Sequence, residues 1–239
     1  MNKTEKLLQD FIENLKKTFG ERLTSVILYG SCAVEGCDTS KSDINSIVVI
    51  DGLNGNDLEK ANIALKKWLK TENPLPIFFD RAEWFNSSDV YPIEYSDIKE
   101  RYRILHGEDI VAPLQVEHRN LRHQCEYEVK NLLIKLRETY IAECTDSKTL
   151  ETAIKSGSKT LIALSRAILR LTNESVPAKH EEVINHLAAK VGIDGEFLLK
   201  TLAFRKDKKV FSKKEYGEIV KKLIDTTDFI LKYVDKLGK

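Results

Sequence analysis

The sequence predicts an α+β protein in which a small mixed β-sheet with flanking helices is followed by an all-α helical bundle. Apolar residues alternate between helix and strand spacing over the first hundred or so residues, and from about Val116 they keep helix spacing only. The 239 residues, 42% of them hydrophobic and 31% charged, suffice for one large or two small domains with real cores. We predict a sheet domain over residues 1–112 and a helical bundle over residues 113–239.

The elements of the first half follow from apolar spacing and turn residues. An amphipathic N-terminal helix is predicted to end near Gly20. "SVILYG" predicts a buried strand that Gly30 ends, and "INSIVVI" predicts a second strand before the turn-forming "DGLNGND". Asp57 is predicted to cap the next helix. "NPLPIFF" predicts a third strand, away from the sheet centre because of Pro74 and Pro76, and "YPIEYSDI" and "RYRILHG" predict further short strands.

The second half carries helical spacing in several long segments. They are "VEHRNLRHQCEYEVKNLLIKLRETYIAE", "SKTLETAIKSGSKTLIALSRAILRLTN", "HEEVINHLAAKVG", "GEFLLKTLAF" and "KKEYGEIVKKLIDTTDFILKYVDKL". No proline follows Pro177, and strand-like runs are missing from this half. The pattern predicts an antiparallel helical bundle.

Composition excludes several classes of function. The net charge of +1 gives no global electrostatic argument for binding nucleic acid or membranes. The four cysteines show no zinc-ligand spacing, which predicts reduced thiols rather than a disulfide framework. No apolar stretch is long enough to span a bilayer, and the charged N-terminal segment is unlike a signal sequence. The predicted location is the cytoplasm, without a membrane partner.

The segment "LYGSCAVEGCDTSKSDINSIVVI" has the order strand, Gly-Ser, loop, acid and strand. Gly30 permits a tight turn and the close approach of a ligand to the backbone. Ser31 and the amides that follow it are predicted to open a short helix that attracts phosphate oxygens. Asp43, entering the next strand, is then placed to hold Mg²⁺ beside that phosphate. The alternative is a strand-ending turn in which Asp43 only caps or solvates the loop.

The stretch "GSCAVEGCDTSKSDIN" resembles the signature of the DNA polymerase β-like nucleotidyltransferase superfamily, which includes the antibiotic and minimal nucleotidyltransferases. The resemblance extends over roughly residues 1–110. It implies that a nucleoside monophosphate is transferred from an NTP to an acceptor with the help of Mg²⁺. It also implies that Gly30 and Ser31 bind the terminal phosphates, and that Asp43 and Asn45 take the catalytic, metal-binding places of the first two acids.

The chain departs from that signature at two of three acids. Asn45 stands at the second acid and offers only a neutral carbonyl oxygen. The third acid is expected on "PLPIFFD", where the strand centre falls at Pro76 or Ile77. Asp80 or Glu94 could replace it only if the strand register were shifted. We therefore predict a degenerate motif with weakened or lost catalysis.

The helical half resembles in layout the bundles that accompany such domains, including the helical HEPN family. The ribonucleases of that family carry Arg, a polar residue, three residues and His; here Arg205 and Lys206 match the start, but Val210 stands in place of His. The late run of basic residues is interpreted as a solvated surface, with binding to the phosphates of a nucleotide or nucleic acid as the alternative. His180 and His186, six residues apart on one helix, are predicted to be ordinary helix residues.

Three functions remain open from the sequence. The first is an active nucleotidyltransferase that acts on an unknown small-molecule or protein acceptor. The second is a non-catalytic nucleotide sensor. The third is a protein-interaction module of the toxin–antitoxin kind, in which the bundle contacts a partner or a second copy to form a homo-oligomer.

Overall fold

The computed structural model describes residues 3–33 and 43–237. These residues form a four-stranded mixed sheet and a larger number of helices, so the predicted α+β class is confirmed. The chain divides into two compact units, Met1–Val116 and Glu117–Lys239, which are called the sheet unit and the helical unit below.

The sheet unit contains four strands and four α-helices within its described residues. The strands are β1 (Leu23–Tyr29), β2 (Asn45–Ile50), β3 (Ile77–Asp80) and β4 (Tyr102–Gly107). The helices are α1 (Lys3–Phe19), α2 (Gly55–Ala64), α3 (Arg81–Asn86) and α4 (Pro92–Glu100). The strand order is β3-β2-β1-β4; β1 is antiparallel to β2 and β4, and β2 is parallel to β3. As its prolines predict, β3 lies at an edge.

Each face of the sheet carries its own apolar core, because successive strand residues point to opposite faces. Leu28 and Val48 belong to the core that includes α1 and the buried Trp68. Ile27 and Ile47 belong to the other core, which includes Trp84 of α3 and Tyr95 of α4. Burial on both faces explains why "SVILY" and "SIVVI" are continuous apolar runs.

Two local predictions are wrong. "YPIEYSDI" forms α4 rather than a strand, because Pro92 starts a helix and the buried residues Pro92, Tyr95 and Ile98 follow at three-residue spacing. The N-cap of α2 is Asn54 rather than Asp57, and Asp57 occupies the N3 position that completes a capping box. In both cases the residue that starts the helix, Pro92 for α4 and the cap Asn54 for α2, was present in the sequence but was not used for the prediction.

The expectation of reduced thiols is wrong for Cys32. Cys32 is almost fully buried and disulfide-bonded. Cys125 and Cys144, both in the helical unit, are not disulfide-bonded.

The helical unit contains five α-helices within its described residues. They are α5 (His118–Glu143), α6 (Ser147–Leu171), α7 (His180–Val191), α8 (Gly195–Phe204) and α9 (Tyr216–Lys236). The long helices α5, α6 and α9 pack against one another. At Gly157, in the middle of α6, a Cβ atom would lie 2.9 Å from Leu223 of α9 and 3.1 Å from Leu136 of α5. Of the helices in the described ranges, none is both long and apolar enough to cross a membrane.

Candidate functional site

The Gly-Ser turn follows directly after β1. Residues Gly30–Ala33 form a single four-residue 3₁₀ turn, shorter than the helix predicted there. Gly30 has a φ of +78°, a left-handed conformation that glycine adopts without strain. Its N–H donates to the carbonyl oxygen of Arg101 at 2.9 Å, which fixes the end of β1 to the residue that follows α4. Ser31 is exposed.

The structure brings Asn45 to this turn. Asn45 begins β2 and is the Cα partner of Tyr29, the last residue of β1. A Cβ atom built on Gly30 would lie 3.6 Å from Nδ2 of Asn45. Asp43 is exposed and stands two residues before Asn45. Residues 34–42, which connect the two halves of the motif, lie outside the described residues.

A relay of hydrogen bonds supports the motif from the neighbouring loop. The N–H of Ile44 donates to Oδ1 of Asn73 at 3.2 Å. Nδ2 of Asn73 donates to the Thr71 hydroxyl at 3.1 Å, and this hydroxyl donates to the carbonyl oxygen of the buried Trp68 at 2.7 Å. The backbone between Asp43 and Asn45 is therefore fixed by a side chain that sequence reasoning missed. Ile44 and Asn73 are 29 residues apart, so no local pattern in the sequence indicates this contact.

The pairing of β3 with β2 begins after Asn45. Ile47 pairs with Ile77 in parallel, and Ile77 is the first residue of β3, so the paired residues start two positions beyond Asn45. Leu75 and Ile77 are 63% and 46% exposed. Of the two residues predicted at the centre of this strand, Ile77 is its first residue and Pro76 precedes it.

The two substitutes considered for that acid are engaged elsewhere. Asp80 pairs with Ile50, at the opposite end of β2 from Asn45. It caps α3 by accepting the Ala82 N–H at 2.8 Å, and it accepts the Leu53 N–H at 3.1 Å. The Ala82 N–H, followed by other backbone donors, lowers the pKa of Asp80. Glu94 lies on α4 and not on a strand of the sheet.

The described residues do not fit a two-metal centre. Asp43 supplies one carboxylate and Asn45 a neutral carboxamide, whereas Mg²⁺ is bound in such centres by several anionic oxygens. Within residues 3–33 and 43–237, no group of three or more His, Cys, Asp or Glu side chains is arranged to hold a metal ion.

Two tyrosines stand in the same row of the sheet as Asn45. Tyr29 is the Cα partner of both Asn45 and Tyr102. Burial raises the pKa of Tyr29, and burial together with Asp109 raises that of Tyr102, whose hydroxyl donates to Oδ2 of Asp109 at 3.0 Å. Both tyrosines are therefore protonated near neutral pH and can act as hydrogen-bond donors rather than as bases.

The basic residues of the helical unit include several that serve as ion-pair partners. Nζ of Lys208 lies 2.6 Å from Oε1 of Glu151 in α6. Nζ of Lys222 in α9 lies 2.6 Å from Oδ2 of Asp194, the N-cap of α8. Burial, with neighbouring cations as a smaller cause, lowers the pKa of His180 at the start of α7. Val210 ends a short 3₁₀ turn.

The chain thus consists of a sheet unit, with a Gly-Ser turn at the end of β1, followed by a helical unit. Among solved structures, the chain is similar to the spectinomycin adenyltransferase AAD(9) from Enterococcus faecalis, solved with ATP and spectinomycin. The TM-score is 0.58 at 12% sequence identity, and the likeness covers 94% of this chain and 99% of that one. At this identity the likeness shows the fold alone. No protein-family model and no curated protein sequence matches the chain.

Proposed function

We propose that the protein is a nucleotidyltransferase-like protein that binds an NTP at Gly30, Ser31, Asp43 and Asn45 and whose transfer activity is weakened or lost. The proposal assigns nucleotide binding to residues 1–112 and an accessory role to the helical bundle of residues 113–239. The observation that carries it is the approach of Asn45 to the turn at Gly30, because it joins the two halves of the phosphate-binding motif in space.

The roles of the four residues follow from their chemistry. Gly30 has no side chain, so a phosphate can approach the backbone closely at this position. The exposed Ser31 hydroxyl is free to turn toward the terminal phosphates. Asp43 is the remaining acid of the motif, and its predicted contact with Mg²⁺, shared with Asn45, stays a prediction. One carboxylate organises an in-line attack on the α-phosphate less well than three, which is the reason for proposing weak transfer.

The alternative is a nucleotide sensor or protein-interaction module without catalysis. It is favoured by the lack, among the described residues, of a cluster of three acids. The two functions differ in one observable quantity, the release of pyrophosphate. An interaction module would bind a nucleotide or a protein partner and release none.

The test combines binding and turnover. ATP and GTP are titrated calorimetrically into the protein with Mg²⁺, and pyrophosphate release is then measured with ATP in the presence and absence of spectinomycin. ATP and spectinomycin are the first pair to test because they accompany the structural neighbour. We expect measurable binding of at least one nucleotide and little or no pyrophosphate release.

Ser31→Ala, with Ser88→Ala as the matched control in the same unit, localises the binding. We expect Ser31→Ala to weaken nucleotide binding by roughly tenfold, as the loss of one hydrogen bond to a charged group does, and Ser88→Ala to leave it unchanged. Absence of heat with both nucleotides would overturn the proposal. Rapid pyrophosphate release would retain the site but show that transfer is intact.

A further inference from the structure

The side-chain amide of Asn45 lies beside the Gly-Ser turn. A Cβ atom built on Gly30 would lie 3.6 Å from Nδ2 of Asn45, an ordinary van der Waals distance. Because residue 30 is a glycine, no side-chain atom occupies that position. Within residues 3–33 and 43–237, the Asn45 carboxamide has no hydrogen-bond partner. An amide donor of this kind is available for a ligand.

The backbone donor at Gly30 is already in use. The N–H of Gly30 donates to the carbonyl oxygen of Arg101 at 2.9 Å. A donor from a neighbouring element would add a further hydrogen bond to a phosphate at this turn. Asn45 is well placed to supply it, because the pairing of β2 with β1 sets its Cα opposite Tyr29, next to Gly30.

The local balance of charge points in the same direction. In a centre with three carboxylates, divalent metals offset the repulsion between the acids and the anionic phosphates. Here the place of the second acid holds a neutral donor, and the neighbouring strand begins with the apolar Ile77. With Asp43 as the one acid of the motif, less negative charge has to be neutralised before a triphosphate can bind.

We propose that the Asn45 carboxamide takes the place of a metal ion, donating from Nδ2 to a phosphate oxygen held at the Gly30–Ser31 turn, so that the triphosphate binds without a divalent cation. The inference rests on the proposed function, since it concerns the same nucleotide. It makes the site a metal-independent triphosphate receptor.

The test compares wild-type protein with Asn45→Asp. ATP is titrated in EDTA and again with Mg²⁺. For the wild type we expect dissociation constants that agree within about threefold between the two conditions. For Asn45→Asp we expect binding in EDTA to weaken by roughly ten- to hundredfold, because a donor to a charged group is lost and a carboxylate faces the phosphate. Mg²⁺ should restore binding to this variant.

Two further variants separate the role of the amide from effects on folding. Asn56→Asp introduces the same change at an exposed position of α2 and should leave binding unaltered in both conditions. Asn45→Ala removes the donor without adding charge and should weaken binding in EDTA less than Asn45→Asp does. Circular dichroism and thermal unfolding verify that each variant is folded.

The outcomes distinguish this inference from the proposed function. Wild-type binding that requires Mg²⁺ would overturn the inference and leave the proposed function standing. Binding of ATP to Asn45→Asp in EDTA with wild-type affinity would also overturn it. Absence of ATP binding in every condition would overturn both.

Discussion

The two units use their buried polar side chains differently. In the sheet unit these side chains join segments that are far apart in sequence. Arg22 forms two hydrogen bonds, at 3.1 and 2.6 Å, with the fully buried Asp57, and Trp84 donates to the carbonyl oxygen of Ile110 at 3.1 Å. In the helical unit, by contrast, Ser158 and Thr227 donate to carbonyl oxygens four residues back in their own helices, at 2.6 and 2.7 Å.

This difference indicates how each unit responds to substitution. A hydroxyl that bonds to its own helix adds little tertiary information, so the helical unit depends mainly on apolar packing. A side chain that connects distant segments fixes the backbone of both, and in the sheet unit Asn73 does this for Ile44 beside the candidate site. We therefore expect polar contacts to matter more in the sheet unit, and the following substitutions test that expectation.

The largest effect is expected at Trp84. Its side chain is fully buried, stacks on Tyr95 at a centroid distance of 4.7 Å and donates to Ile110. Trp84→Ala removes the ring and leaves a buried carbonyl oxygen unsatisfied, which should lower the free energy of unfolding by about 3–5 kcal/mol. The measurement is chemical denaturation followed by circular dichroism.

Phe204→Ala provides the comparison in the helical unit. Phe204 is also fully buried, against Phe211 and Tyr216, but its ring makes no hydrogen bond. We expect this variant to lose less stability than Trp84→Ala, and Trp84→Phe to recover most of the packing but not the hydrogen bond. An equal or larger loss in Phe204→Ala would contradict the distinction between the units.

Two glycines with nearly the same backbone conformation should differ clearly. Gly107 in β4 and Gly192 after α7 have φ values of +82° and +85°. A Cβ atom on Gly107 would lie 2.1 Å from the carbonyl oxygen of Thr24, whereas nothing lies within 4 Å of one on Gly192. Gly107→Ala should cost about 3 kcal/mol from conformation and overlap together, and Gly192→Ala about 1 kcal/mol from conformation alone. Similar losses of unfolding free energy would show that the sheet accommodates the overlap by shifting β4.

The dependence of stability on pH gives a smaller contrast. A hydrogen bond from Arg22 holds the pKa of Asp57 well below its usual value, and hydrogen bonds from Lys155 and Lys208 lower the pKa of Glu151 to about 2. A carboxyl whose pKa is lowered by folding stabilises the native state above its unfolded pKa, about 4, and this contribution disappears as the pH falls through the folded pKa. Both units should therefore lose stability below about pH 4.

Asp57→Asn and Glu151→Gln separate the two contributions. Each substitution should lower stability at neutral pH and flatten its dependence on pH between about 5 and 2. Asp57→Asn should have the larger effect, since Asp57 is fully buried while the Glu151 side chain is 17% exposed. The measurement is the thermal unfolding midpoint as a function of pH. A steeper acid transition in either variant would contradict this assignment.

The periodic elements could be predicted from the sequence because burial imposes a local pattern. The strands around Val26 and Val48 are apolar on both faces, and the long helices of the second half repeat at helix spacing. The α4 segment was misassigned because Tyr91, Ile93 and Tyr95 also alternate as a strand would. The same segment also fits helix spacing, and the helix forms because it buries Pro92, Tyr95 and Ile98.

The candidate site could be predicted only in part. Gly30, Ser31, Asp43 and Asn45 form a local motif, so their presence was visible in the sequence. The support that Asn73 gives to Ile44 and the contact between Gly30 and Arg101 join residues tens of positions apart. Such contacts arise from the pairing of strands and the path of loops, and they leave no periodic signal in the chain.

The smallest effect is expected at Lys208, one helical-unit residue that does join separate segments. Its ammonium lies 2.6 Å from Glu151 and so ties the Lys208–Val210 turn to α6. Lys208 is 67% exposed, and Glu151 keeps a second partner in Lys155 at 2.8 Å, so Lys208→Ala should cost only about 0.5 kcal/mol. Lys200→Ala, which removes an exposed pair with Glu196 inside α8, should cost still less. If Lys208→Ala lost several times as much unfolding free energy as Lys200→Ala, long-range polar contacts would govern the helical unit too, and the contrast between the units would fail.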